Sequence, residues 1–154
     1  MEMKITKINK AGLDLIKEFE GFSAKPYLCP VKICTIGYGN TRYLHGGKVK
    51  LTDPSISLEA AEQLLAATLG QYEKDIDAYC VDTLNENQFS ALVSFAYNCG
   101  AANLKSSTLL KKVNANPNDP TIAAEFAKWN RGGNKVLAGL TRRRLRESQL
   151  YFKP

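Results

Sequence analysis

Ser57 stands immediately before an apolar stripe made of Leu58, Ala61, Leu65, Leu69, Tyr72, Ile76 and Tyr79. That spacing repeats on one face of an α-helix and on no face of a strand. It predicts one long capped helix, around which any fold of this chain has to be arranged, with a lobe on either side of it. Helical patterns continue beyond it. Asn85-Glu86-Asn87-Gln88 reads as a capping box opening an apolar helix from Phe89 to Tyr97, with Gly100 ending it. A short helix is expected around Ser106 to Val113. Another starts at Asp119-Pro120, with proline at the first helical position, and runs through Phe126 to Trp129. Arg131-Gly132-Gly133-Asn134 reads as a turn, and a final helix runs from Gly139 or Leu140 to Tyr151.

The N-terminal part reads differently. Asn9 is a candidate N-cap for a helix carrying Leu13, Ile16 and Phe19, and Gly21 sits where a C-cap glycine is expected. Ser23 to Pro30 holds Pro26 and Pro30 and is expected to be a loop. Cys34 to Asn40 is β-prone, and Arg42 to Leu51 reads as a hairpin turning at Gly46-Gly47. The expected fold class is α+β: one domain over residues 1–154, with lobes of about 12–56 and 57–154. The length, 154 residues, suits one domain, and 44% hydrophobic with 23% charged residues is ordinary for a globular chain. No run approaches the roughly 18 apolar residues that span a bilayer, so stable membrane insertion is not expected. Met1 to Lys7 has basic residues with no apolar run behind them and is not read as a signal peptide.

The formal net charge of +6 favours anionic partners. Four of the basic residues cluster at Arg142, Arg143, Arg144 and Arg146 and cannot share one helix face, so a phosphate-tracking stripe, and with it nucleic-acid binding, is not expected. The four cysteines, Cys29, Cys34, Cys80 and Cys99, form no CxxC, and His45 is the single histidine, so neither a metal site nor a cofactor is anticipated. Cys80 and Cys99 read as small buried apolar residues.

Chemistry is suggested by Glu20, Cys29 and Thr35. Glu20 falls in the last turn of a helix, where the macrodipole disfavours a carboxylate. Phe19 and Phe22 flank it, and a thiol and a hydroxyl follow at loop-spanning distances. Acid catalysis on an acetal oxygen needs a protonated carboxyl in a partly apolar pocket and a second polar group across the scissile bond.

The stretch Glu20-Gly21 … Cys29 … Thr35-Ile36-Gly37-Tyr38-Gly39-Asn40-Thr41 resembles the catalytic stretch of the phage-type lysozymes, or endolysins, of glycoside hydrolase family 24. In that family a glutamate is followed nine residues on by Asp or Cys and six further on by Thr, as here. The likeness continues in Asn87 to Gly100 and in Trp129-Asn130 … Gly139-Leu140 … Arg142-Arg143 … Glu147. It implies a lysozyme-like fold with a small β-hairpin lobe and a larger helical lobe. It also implies a muramidase that hydrolyses the β-1,4 bond between N-acetylmuramic acid and N-acetylglucosamine in peptidoglycan and lyses a bacterial host.

By the same resemblance Glu20 is the general acid, Cys29 takes the place of the family's aspartate, and Thr35 helps to hold the attacking water. Tyr97 and Asn98 line the cleft, and Arg142 supports Glu20. Asn40 falls where many relatives have a histidine. The enzyme would act as a monomer without cofactor or metal, be made in the host cytoplasm, and reach the wall through a holin lesion. A non-catalytic peptidoglycan-binding lysis accessory and a lytic transglycosylase are the alternatives. A Cys29–Cys34 disulfide, which would occupy the catalytic thiol, needs the two Cα atoms within about 4.4–6.8 Å.

Overall fold

The computed structural model describes residues 4–81 and 83–154; Met1, Glu2 and Met3 of the N-terminal segment lie outside the described residues. Along the chain run α1 (Lys10–Glu20), β1 (Ser23–Leu28), β2 (Cys34–Gly37), α2 (Leu58–Tyr79) and α3 (Glu86–Cys99). Then come α4 (Ala101–Lys105), α5 (Thr108–Ala115), α6 (Ile122–Ala127), β3 (Arg131–Gly132), β4 (Lys135–Val136) and α7 (Ala138–Tyr151). They divide into a smaller unit, Ile16–Gln71, and a larger one formed by the residues before and after it. Both α1 and α2 contribute residues to each unit.

In the smaller unit α1 stops at Gly21, whose φ of 72° suits glycine and whose N–H donates to the Lys17 carbonyl at 2.9 Å. Ser23–Leu28, expected as a loop, is instead a strand antiparallel to β2. Its Pro26 lies in an irregular stretch between Ser23 and Tyr27, where the ladder is interrupted and a missing N–H is tolerated. Beyond it the register is regular, with Tyr27 opposite Thr35 and Leu28 opposite Cys34. Ile36, Val49 and Leu64 form the buried cluster, with Cys34, Tyr43 and Ile56 packed against it. Asn40 Nδ2 donates to Thr68 Oγ1 at 2.8 Å, fastening the turn after β2 to α2.

The hairpin expected over Arg42–Leu51 forms in short form, with the Val49 N–H donating to the Thr41 carbonyl and the Tyr43 N–H to the Gly47 carbonyl, both at 3.0 Å, about the Arg42–Lys48 bridge. Beyond it the Asp53 carboxylate accepts the Lys50 N–H and the Tyr43 hydroxyl, both at 2.8 Å, which turns the chain away from further pairing.

In the larger unit the capping box forms as anticipated. Asn85 Oδ1 accepts the Gln88 N–H at 2.8 Å, and Gln88 Oε1 accepts the Asn85 N–H at 3.0 Å. The α3 helix is buried from Gln88 to Ala96 and packs against α7. Around it the Phe95 ring meets Phe126 and Trp129 edge-on at 5.8 and 5.4 Å between centroids. The sequence did not announce α4. The α6 helix starts at Ile122, later than Asp119-Pro120, because the Asp119 carboxylate accepts both the Thr121 N–H, at 2.9 Å, and its hydroxyl, at 2.7 Å. The turn expected at residues 131–134 is bracketed by the two-residue strands β3 and β4.

Replacing Asn85 with Ala removes one arm of the box and is expected to lower stability by about 1 kcal/mol. Urea unfolding should show this as a lower midpoint at unchanged slope.

Candidate active site

The sequence between the two strands of the smaller unit determines the geometry of the site. The Lys32 N–H donates to the Cys29 carbonyl at 2.7 Å and the Cys29 N–H donates to the Ile33 carbonyl at 3.0 Å, closing a tight turn. Lys32 takes φ 63°, the one positive value among the described non-glycine residues. A left-handed residue after a tight turn is how such hairpins reverse, and lysine accepts it at a cost of about 1–2 kcal/mol. Hydrogen bonding from the Ile33 backbone first, with smaller help from the Val31 backbone and the Thr35 hydroxyl, draws the Cys29 thiol below the ordinary thiol range, and partial burial works the other way.

Strand alternation explains why these groups meet. Tyr27 pairs with Thr35, and Cys29 bonds to Ile33, so Tyr27, Cys29, Ile33 and Thr35 share one face. Leu28 and Cys34, paired with each other, share the opposite face, where Cys34 packs on the apolar cluster. Cys29 and Cys34 therefore point apart, and both are free thiols. Thr35 is buried, and its hydroxyl also donates to the Ile33 carbonyl at 2.9 Å.

Glu20 is the last residue of α1 and half-buried. The link between it and the thiol is Tyr27, whose phenol is raised above its ordinary range by burial first and then by the charges of Glu20 and Cys29. That phenol is thus within electrostatic reach of both groups. The smaller unit contains Glu20, Cys29 and Thr35, the last two on one hairpin face with Tyr27, a tyrosine that the sequence did not single out. The alternation Tyr27, Cys29, Ile33, Thr35 was the signal that could have found it.

The remaining candidates belong to the larger unit. Tyr97 is half-buried, its ring edge-on to Tyr72 at 5.5 Å, and Asn98 is exposed in the last turn of α3. On α7 the arginines divide: Arg142 and Arg146 are exposed, whereas Arg143 and Arg144 are buried. Asn98 and Cys99 line a pocket of about 360 Å³ with Asn103, Lys128, Trp129 and Arg131. None of those last four was picked out from sequence as a binding residue. Among the described residues no group of three His, Cys, Asp or Glu side chains is placed to hold a metal ion, and no helix is long and apolar enough to cross a membrane.

The family model for phage lysozyme matches residues 17–147, which include every one of these groups. The chain belongs to the phage lysozyme family. Among relatives of this phage lysozyme, the endolysin of Bacillus phage B103 is 43% identical over 147 residues, covering 94% of this chain and 54% of that protein. The chain spans about half the length of the Bacillus phage endolysins it matches. Among solved structures, the endolysin from Escherichia coli O157:H7 phage FAHEc1 superposes with a TM-score of 0.87 at 34% identity, over 95% of this chain and 93% of that one. The muramidase domain of SpmX from Asticaccaulis excentricus does so with a TM-score of 0.83 at 31% identity, over 96% and 99%. The fold is α+β and lysozyme-like.

Because hydrogen bonding holds the thiol low, residue-resolved alkylation of Cys29 is expected to reach half its limiting rate at a lower pH than an ordinary thiol does. Thr35→Val should move that midpoint upward. Coincident profiles for the two proteins, read by mass spectrometry, would contradict the assignment of the sulfur's partners.

Proposed function

We propose that this chain is the catalytic domain of an endolysin that hydrolyses the β-1,4 bond between N-acetylmuramic acid and N-acetylglucosamine in peptidoglycan. The observation that carries the reading is the placement of Cys29 and Thr35 on one face of the hairpin that follows the Glu20 helix end. Family membership and the likeness to a structure named as a muramidase domain support it.

In this mechanism the Glu20 carboxyl gives its proton to the glycosidic oxygen as the bond from that oxygen to the anomeric carbon breaks. A water held by Thr35 and Cys29 forms the new bond to the anomeric carbon from the opposite face, and its proton passes to the Cys29 thiolate. One water is consumed and the configuration inverts. Glu20 ends as a carboxylate and Cys29 as a thiol, and exchange of protons with solvent resets both. Drawing the thiol's pKa down toward the working pH raises the share present as thiolate, the form that accepts the proton. Tyr97 and Asn98 contact the glycan. The protein works as a monomer, is made in the host cytoplasm and reaches the wall through a holin-type lesion. The net charge of +6 favours the anionic wall polymer.

Digestion of purified peptidoglycan followed by mass spectrometry tests substrate and bond together. Reducing muramic acid ends are expected; anhydro-muramic ends would instead make the protein a transglycosylase. Glu20→Gln should lower cleavage by about 10²–10⁴-fold while leaving wall binding intact. Cys29→Asp should keep much of the activity and Cys29→Ala little. An active Glu20→Gln variant, or a dead but folded Cys29→Asp variant, would refute the assigned roles.

A further inference from the structure

In the larger unit, Arg144 is fully buried at the point where α7 meets the end of α3. Its guanidinium meets three partners, the one at Nε as an ionic contact without hydrogen-bond geometry. Nε lies 2.9 Å from Glu147 Oε1, Nη1 meets the Cys99 sulfur, and Nη2 donates to Asn98 Oδ1 at 2.5 Å. Glu147 is anchored in turn by the Ser94 hydroxyl at 2.5 Å and by Arg143 Nε at 3.3 Å. Burial keeps the Cys99 thiol above the ordinary range, so the third arm meets a neutral sulfur.

The consequence for Asn98 follows from donor chemistry. A guanidinium only donates, so the amide can face Arg144 only through its oxygen. The Asn98 NH₂ is then turned the other way, and among the described residues it meets no acceptor. Asn98 is exposed and lines the pocket of about 360 Å³. The Trp129 indole N–H and the Arg131 guanidinium, which line it too, also lack an acceptor among the described residues. Lys128 adds positive charge, although its ammonium is held 3.0 Å from Glu125. Leu140 supplies an apolar wall, and no carboxylate contributes to the lining. A pocket with several unanswered donors and no lining anion selects a ligand group rich in acceptor oxygens.

We propose that Glu147 and Arg144 form a positioning relay that locks Asn98 as a hydrogen-bond donor toward an acyl or carboxylate oxygen of the bound wall polymer. The inference rests on the peptidoglycan reading above and deepens it. Asn98 touches substrate; Arg144 and Glu147 act through it.

Asn98→Asp is the decisive variant. It keeps an oxygen for Arg144, so the fold is retained, but it presents an acceptor where the pocket now has a donor. KM for peptidoglycan strands should rise about tenfold with kcat within about twofold, and the thermal midpoint should not fall. Arg144→Lys keeps the charge and loses the fork; it should raise KM similarly, and the double variant should be no worse than Asn98→Asp alone. Should Arg144→Lys not fold, the Asn98 side-chain amide resonance of the wild-type protein decides instead. A shift on adding soluble muropeptides supports the relay, and an unmoved signal overturns it. An unchanged KM for Asn98→Asp, or effects of the two substitutions that simply add, also overturns it. Strands with and without stem peptides separate the two oxygen sources: a defect on both points to an acetamido carbonyl, and one seen only with peptides to a carboxylate or carbonyl of the peptide. Wild-type turnover in the same assay separates failure of the relay from failure of the function itself.

Discussion

The larger unit is organised around a charge that has no access to water. Arg144 and Glu147 are both fully buried, and taking two such ions out of water costs several kcal/mol each before their attraction repays any of it. Such a pair persists only where surrounding groups hold both ions, the more so here because Arg144 Nε and Glu147 Oε1, 2.9 Å apart, form an ionic contact without hydrogen-bond geometry. Here Ser94 from α3 closes on Glu147, Arg143 donates to the Ser94 carbonyl at 3.3 Å, and the end of α3 receives the other Arg144 arms. Burial pushes the Glu147 carboxyl up, and the guanidiniums of Arg144 and Arg143 pull against it. Two apolar helix faces can slide past one another at little cost, whereas α3 and α7 cannot shift without leaving a buried ion unpaired, at about 3–5 kcal/mol. The pair therefore sets helix register, and through register it sets where Asn98 and Cys99 stand.

The smaller unit reaches its precision by local means. Its central cluster is small, and its site depends on strand alternation and on one turn. A slip of one residue between β1 and β2 would exchange the two faces, carrying Cys29 away from Thr35 and toward the apolar cluster that Cys34 now covers. The left-handed Lys32 and the two backbone bonds across the turn oppose that slip. The same turn produces both the reversal of the chain and the donors around the sulfur, so fold and chemistry share their determinants here.

What could be read from sequence was what local periodicity and capping encode. The Ser57-capped helix, the Asn85 box and the Gly21 stop all lie where their signals put them, because each is satisfied within a few residues. Pro26 suggested a loop, and tertiary pairing overrode it by placing the proline at a ladder irregularity. The Arg42–Leu51 segment carried a hairpin pattern, and the backbone bonds from Val49 to Thr41 and from Tyr43 to Gly47 realise it in short form. In the site, Glu20, Cys29 and Thr35 were visible as residue types at spacings, while the N–H groups of Val31 and Ile33 were not, since backbone donors have no signature in sequence. The relay through Arg144 was hidden for another reason. Four nearby arginines look alike until packing decides which two are buried.

The donors around Cys29 also give a physical account of how a thiol can stand where an aspartate is usual in this family. Side chains of Asp and Asn commonly accept the N–H two residues on and so stabilise a turn. The groups that draw the Cys29 thiol down are of this kind: the backbone of Ile33 first, then the backbone of Val31 and the hydroxyl of Thr35. A carboxylate oxygen placed at the sulfur would accept from the same three groups, so the turn is indifferent to the exchange. The charge state is not. A carboxylate is ionised throughout the neutral range, whereas a thiol is ionised only as far as its surroundings draw its pKa down. Because the Ile33 N–H contributes most and belongs to the backbone, that pull is built into the hairpin itself. The fold thereby supplies part of the acidity that the side chain lacks.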